Sequence, residues 1–273
     1  MARTILFLSD YGRKDPYVGI CHAVMARIAP EVRVVDLTHS ILPQGIRGGA
    51  VTLADAARYG PEDAVYLAVV DPGVGTVRRP IAVAAGRGVL VGPDNGLLSL
   101  AWEVLGGPSG AWEIESPRVV LEPISETFHG RDVFAPAAAH VASGLAPDEL
   151  GPAVDPGGLA RIEPPVPKLE AGHLHCEVLG IDRFGNVQLS VRREHLERAG
   201  LLGSADLEVR WSGRVSKFPH VRTFREAGEG AYATLVDSSG WLAMVQNMGN
   251  AAESLGIQVG DPVVVALPGR DPD

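Results

Sequence analysis

A carboxylate and a guanidinium bracket one glycine turn, Asp71-Pro-Gly-Val-Gly-Thr-Val-Arg78, directly after the apolar run Ala64–Val70. Asp71 leaves the end of a buried strand, and Arg78 returns a positive charge to the same spot. Gly73 and Gly75 would let backbone N–H groups come close to a ligand. An open α/β sheet builds a small polar site at its carboxyl edge in this way. The plainer reading is an ion pair closing a tight surface loop, worth only about 0–1 kcal/mol. A second polar string, Thr127-Phe-His-Gly-Arg-Asp132, stands just before the Ala-rich segment Phe134–Ala142. A helix N-terminus there would place His129 where it can complete the site.

Other carboxylates follow the same rule of position. Asp10 comes after Thr4–Leu8, and Asp36 lies within Val32–Leu37. With Asp71 they suggest one sheet face carrying three acids, although aspartate is also common in turns and helix caps. Further along, Ile181-Asp-Arg-Phe-Gly-Asn-Val187 reads in two ways. Asp182 and Asn186 are either polar readers beside a stacking Phe184, or members of a plain turn. Asn247-Met-Gly-Asn250-Ala-Ala either reads a ligand edge or caps the helix that follows. The chain has no GxGxxG after its first strand, no P-loop, no HExxH and no GxSxG. Dinucleotide, nucleoside triphosphate, zinc-protease and serine-hydrolase chemistries are disfavoured accordingly.

The elements that must hold these residues alternate in type. Thr4–Leu8, Val32–Leu37 and Ala64–Val70 read as strands, and Ile81–Ala85 with Gly88–Val91 as a hairpin. Tyr17–Ala29, Gly48–Arg58, Gly96–Leu105 and Arg131–Ser143 carry helical spacing. The pattern predicts a mostly parallel α/β sheet covered on both faces over residues 1–152. Residues 153–171 are rich in Pro and Gly and read as an extended linker. Residues 172–268 carry short strand-like runs at His175–Ile181, Asn186–Ser190, Ala205–Trp211, Ala231–Val236, Leu242–Gln246 and Pro262–Leu267, which predict a small β-barrel.

Composition sets the outer bounds. The chain has 273 residues, 46% hydrophobic and 21% charged, enough for two cores. Its net charge of −9, with no Lys/Arg run, disfavours nucleic acid or an anionic membrane as partner. No apolar stretch reaches spanning length, and the N-terminus does not read as a signal peptide. Two cysteines, Cys21 and Cys176, fit a reducing cytoplasm.

Taken together and in order, the motifs resemble the S-adenosyl-L-methionine hydrolases, also called SAM hydroxide adenosyltransferases, relatives of fluorinase and chlorinase. The matching strings are Leu8-Ser-Asp10-Tyr-Gly12, Asp15-Pro-Tyr-Val-Gly19, Asp36-Leu-Thr-His39, Asp71-Pro-Gly-Val-Gly75 with Arg78, Gly92-Pro-Asp-Asn-Gly96, Phe128-His-Gly-Arg-Asp132, Asp182-Arg-Phe-Gly-Asn186 and Gly249-Asn-Ala-Ala252.

The resemblance implies hydrolysis of S-adenosyl-L-methionine to adenosine and L-methionine. It implies a homotrimer whose sites lie where one subunit meets the next, with no cofactor and no metal. Asp71, Arg78 and His129 map onto the hydrolytic trio. Asp10 would hold the ribose, Asn186 the adenine edge, Phe184 and Phe224 the ring faces, with the Asn250-Ala251 backbone nearby. Asp182 and Ser238 would take the methionine part. Fluorinating relatives carry Tyr-Ser at the place of His129-Gly130, lack the Asp and Arg of the trio, and have Arg where this chain has Ser239. A halogenase using S-adenosyl-L-methionine and a non-catalytic binder of adenosine or S-adenosyl-L-methionine are the alternative readings.

Overall fold

The most deeply buried strand, Ala64–Val69, shows how the N-terminal unit is built. Val65, Leu67 and Val69 enter one apolar cluster, while Ala64, Tyr66 and Ala68 enter another on the opposite face. A strand buried on both sides needs apolar residues at every position, which is why it reads as a continuous run rather than an alternation. Residues 2–269 are described here in a computed structural model. They form two units that divide at Glu163 and Pro164.

The first unit runs β1 (Ile5–Ser9), α1 (Tyr17–Ile28), β2 (Val34–Thr38), α2 (Ile46–Ala57), β3 (Ala64–Val69), β4 (Pro80–Ala85), β5 (Gly88–Pro93), α3 (Ser99–Val104), β6 (Pro108–Glu113), α4 (Ala135–Ala142) and β7 (Ala153–Val154). Its seven strands lie in the order β2-β1-β3-β5-β4-β6-β7. The half from β2 to β5 is parallel, and the half beyond it is antiparallel. The sheet is therefore mixed. The connection from β4 to β5 is too short for a crossover, so those two strands can pair only as a hairpin. Met25 of α1 and the alanines of α4 cover one face; Leu53 of α2 and Trp102 of α3 cover the other.

Two boundaries differ from the sequence reading for local reasons. Gly96 takes φ +93°, so α3 begins only at Ser99. The helix expected from Arg131 opens instead with a π-helical turn, Gly130–Phe134, before α4.

Much of the Pro/Gly-rich stretch is structured. Val154 pairs with Ala111 of β6, the Ala160 amide donates to Asp94 Oδ1 at 2.8 Å, and the Ile162 amide donates to Ser99 Oγ at 3.0 Å. These polar anchors act together with Leu159, which is buried in the core of the first unit, and apolar periodicity alone does not reveal them.

The second unit contains β8 (Lys168–Glu170), β9 (His173–Ile181), β10 (Val187–Arg192), α5 (Arg193–Arg198), β11 (Asp206–Trp211), β12 (Arg214–Pro219), β13 (Tyr232–Val236), β14 (Trp241–Gln246), α6 (Ala251–Leu255) and β15 (Pro262–Ala266). All pairings between its strands are antiparallel, in the order β12-β11-β15-β9-β10-β14-β13, with β8 on β9. A bridge between His220 and Thr234 joins the end of β12 to β13 and nearly closes the sheet into a barrel. β12 escapes the sequence reading because most of its side chains are exposed, so it lacks the apolar alternation that marks a half-buried strand.

Candidate active site

Register places the first acids. Ser9 of β1 lies opposite Val69 of β3 in a parallel pair, so Asp10 and Asp71 leave the sheet side by side at its carboxyl edge. Asp10 Oδ2 accepts the Gln44 amide at 2.9 Å, which ties it to a residue held at φ +63°. Asp71 is gripped by Arg78: Nε donates to both carboxylate oxygens at 2.9 and 3.0 Å, and Nη2 donates to Oδ2. The two side chains are only 6% and 9% exposed. This is a buried pair, not the closure of a surface loop.

The glycines of the turn serve the protein's own chain. Gly75 has φ +75°, and a Cβ there would overlap the Glu126 carbonyl. The turn thus packs directly against the backbone leading to His129, which brings three distant residues together. Arg78 Nη2 lies 2.8 Å from His129 Nδ1 and the guanidinium rests over the Phe134 ring at 5.1 Å. A guanidinium only donates, so His129 Nδ1 accepts and the imidazole carries its proton on Nε2. Burial first, and the Arg78 charge second, push the His129 pKa below its usual value and keep the ring neutral. Arg78 Nη1 is buried without a hydrogen-bond partner among the described residues.

The loop bearing His129 is clamped by its own charges. Asp132 is buried; it accepts Arg131 Nε at 2.6 Å and the Ser125 amide at 2.9 Å. Arg131 and Asp132 are scaffold. Phe128 meets Tyr11 and Tyr17 edge-on.

Around these residues lies a cavity of ≈ 260 Å³ that includes Asp10, Tyr11, Gln44, Asp71, Thr127 and His129 in its wall. Burial, then the nearby Cys21 thiol and the Asp10 and Asp71 carboxylates, raise the Tyr11 phenol well above its usual pKa, so it stays a donor. Tyr11 and Gln44 were not foreseen as lining residues, although Tyr11 adjoins Asp10 in an already suspicious string.

The expected third acid is elsewhere. Asp36 lies inside β2, not past its end, and its carboxylate faces His22 and His39 rather than this cavity. Three acids on one sheet edge do not form.

In the second unit a cavity of ≈ 470 Å³ is lined by Asp182, Phe184, Asn186, Phe224 and Ser238 among others. Phe184 and Phe224 are 64% and 45% exposed, an arrangement suited to stacking on a flat ligand. Asp182 also shapes the turn: Oδ1 accepts the Phe184 and Asn186 amides at 2.8 and 3.0 Å, and Oδ2 accepts Asn186 Nδ2 at 2.7 Å. The plain-turn reading of that string is therefore realised, and the turn lies in the wall of the cavity. Asn250 and Ala251 are not in this wall. Asn250 Oδ1 caps α6 by accepting the Glu253 amide at 3.0 Å, and Ala251 is buried.

Gln188 and Asp237, joined at 2.6 Å, and Arg222 also line the cavity and were not anticipated. Asp237 is a turn former whose Oδ1 accepts the Ser239 and Trp241 amides at 2.9 and 3.0 Å. No sequence signal separates such a residue from an ordinary turn.

Comparison with known proteins gives the family. Residues 5–151 match the SAM hydroxide adenosyltransferase N-terminal domain and residues 176–264 its C-terminal domain. An (R)-S-adenosyl-L-methionine hydrolase of Salinispora arenicola is 46% identical over 96% of this chain and 97% of its own. One of Thermus thermophilus is 45% identical over 96% and 98%. A fluorinase of Nocardia brasiliensis is more distant, at 31% over 96% of each chain. Among solved structures, an uncharacterized conserved protein from Thermotoga maritima superposes with a TM-score of 0.90 at 32% identity, covering 96% of this chain and 99% of its own. With both domains matched in order over nearly its whole length, the chain belongs to the SAM hydroxide adenosyltransferase family.

Proposed function

We propose that this protein hydrolyses S-adenosyl-L-methionine to adenosine and L-methionine, by in-line attack of a water on the ribose 5′ carbon. The observation that carries the reading is the hydrogen-bonded Asp71–Arg78–His129 chain, of which Asp71 and His129 line one cavity with Asp10. The sulfonium is already a good leaving group. The site has to orient the water and take up one proton as the C5′–S bond breaks and the C5′–O bond forms. Orientation of this kind contributes up to roughly 7–11 kcal/mol.

In this reading Asp71 fixes Arg78, and Arg78, with donors to spare, holds and polarises the water. Neutral His129 is the single imidazole among the described residues lining the cavity. It receives the proton at Nδ1 when that atom exchanges its Arg78 contact for the water, and passes it on to solvent. Asp10 holds the ribose hydroxyls. The cavity of the second unit takes the adenine between Phe184 and Phe224, with Asn186 at its edge and Asp182 and Ser238 toward the methionine. The two cavities belong to one active site in a homotrimer, the first unit of one copy working with the second unit of its neighbour. The two unbridged cysteines support a cytoplasmic setting.

Purified protein incubated with S-adenosyl-L-methionine, with and without chloride or fluoride, and analysed by mass spectrometry tests the reaction. Adenosine and L-methionine in equal amounts are expected under both conditions. A halogenated nucleoside as the main product would refute water as the nucleophile.

The acid limb of the pH profile tests His129. Protonating the ring removes the acceptor, so kcat falls as pH drops. Because burial and Arg78 both disfavour the imidazolium, the midpoint lies below the ordinary 6.5. A kcat titration from about pH 5 to 8 reads it; a midpoint at or above the ordinary value would contradict the assignment.

A further inference from the structure

A second polar cluster lies in the first unit, and the hydrolytic reading gives it no task. His22 of α1, Asp36 of β2 and His39 just after β2 converge on one point. His22 Nε2 is 2.8 Å and His39 Nε2 3.1 Å from the same oxygen, Asp36 Oδ1. One donor atom from each residue fits within a 4.8 Å span.

A plain ion pair accounts for Asp36 and His22 but not for His39. The His39 side chain is fully buried, its ring edge-on to Phe7 at 4.7 Å. Its Nδ1 lies 2.8 Å from Ser9 Oγ. Its Nε2 is buried 3.1 Å from Asp36 Oδ1, without a well-aligned hydrogen bond among the described residues. When Ser9 Oγ accepts from Nδ1–H, the Nε2 lone pair is available to a cation placed between Asp36 and His22. This is how an imidazole metal ligand is usually anchored, its second nitrogen held by an oxygen.

We propose that His22, Asp36 and His39 form a binding site for a divalent transition metal, of the two-histidine, one-carboxylate kind. Two imidazoles and a carboxylate suit zinc or cobalt. His22 and Asp36 are 35% and 31% exposed, leaving room for water to complete the coordination. The metal would tie α1 to β2 and, through His39 and Ser9, to the loop after β1 that carries Asp10. That loop already hangs on the same residues: Gly12 donates to the His39 carbonyl at 2.8 Å and the Tyr11 amide to Ser9 Oγ at 3.3 Å. The metal takes no part in the hydrolytic step.

The test is titration of metal-stripped, untagged full-length protein with Co²⁺, followed by its visible absorption bands, and with Zn²⁺ in competition. One saturable equivalent is expected, with a rise in thermal midpoint on metal addition. His22→Ala removes a partly exposed ligand, should fold, and is expected to weaken binding by at least about tenfold. Ser9→Ala keeps all three ligands but frees the His39 tautomer, and is expected to weaken binding by about tenfold. Circular dichroism confirms that each variant is folded. Absence of saturable binding to the wild type, or unchanged affinity in folded His22→Ala, would overturn the site. Neither result bears on hydrolysis, which is read separately by product analysis.

Discussion

Replacing Arg78 with lysine is expected to lower kcat for S-adenosyl-L-methionine by about 10²–10³-fold, the usual loss when one preorganised donor is removed from a reacting oxygen. The charge survives the change, so the argument rests on shape. Arg78 meets Asp71 through Nε and Nη2, and through Nη2 also reaches His129, while Nη1 is held in reserve. An ammonium on a flexible stem is a single point charge and cannot span those partners in fixed geometry. KM is expected to stay near its starting value, because the adenine contacts assigned to the second unit are untouched. Steady-state kinetics with adenosine detection give both numbers. A lysine variant with wild-type kcat would show that charge alone suffices and that the fork geometry is irrelevant. The same substitution separates two parts of the mechanism. Burial, the first cause of the depressed His129 pKa, and the positive charge both survive the change, so the acid midpoint of the residual activity should stay below the ordinary histidine value.

The second large effect is expected from Gly130→Ser. A Cβ at residue 130 would overlap the Tyr11 hydroxyl and crowd the end of its ring. Tyr11 cannot simply swing aside: Phe128 meets its ring edge-on at 5.8 Å and Tyr17 lies at 5.7 Å. Tyr11 follows Asp10 directly and shares the cavity wall with His129 and Gly130. The substitution therefore displaces the wall from both sides, costs about 1–3 kcal/mol of stability, and lowers turnover by about 10²-fold, as misplacements near an ångström do. Tyr11→Phe removes the overlapping atom. The double variant Gly130→Ser with Tyr11→Phe should regain much of the lost stability, a coupling visible in a thermal-unfolding cycle. Strict additivity of the two changes would mean that the clash is not the cause.

The order of elements was largely readable because it rests on apolar periodicity. β3 announces itself as an unbroken buried run, and α1 by Val18, Cys21, Val24, Met25 and Ile28 at helical spacing. Elements with weak apolar signals stayed hidden: β6 opens with Pro, Ser and Gly, and β12 has mostly exposed side chains. The candidate site was legible in its residue types but not in its assembly. Asp71 and Arg78 share one turn and suggest each other. His129, 51 residues beyond Arg78, joins them only because Gly75 lets the turn seat on the Glu126 backbone. Asp36 looked equivalent to Asp10 and Asp71, yet a shift of a few residues along its strand turns it to a different neighbourhood.

By itself, then, the sequence determined the strand and helix order, the family strings and the chemical groups on offer, since these depend on local pattern and residue type. Tertiary structure alone decided which of those groups meet. It joined Asp71, Arg78 and His129 in one connected chain and set His39 Nε2 against Asp36. Contacts between residues far apart in the chain follow from strand register and close backbone packing, and no local pattern encodes either.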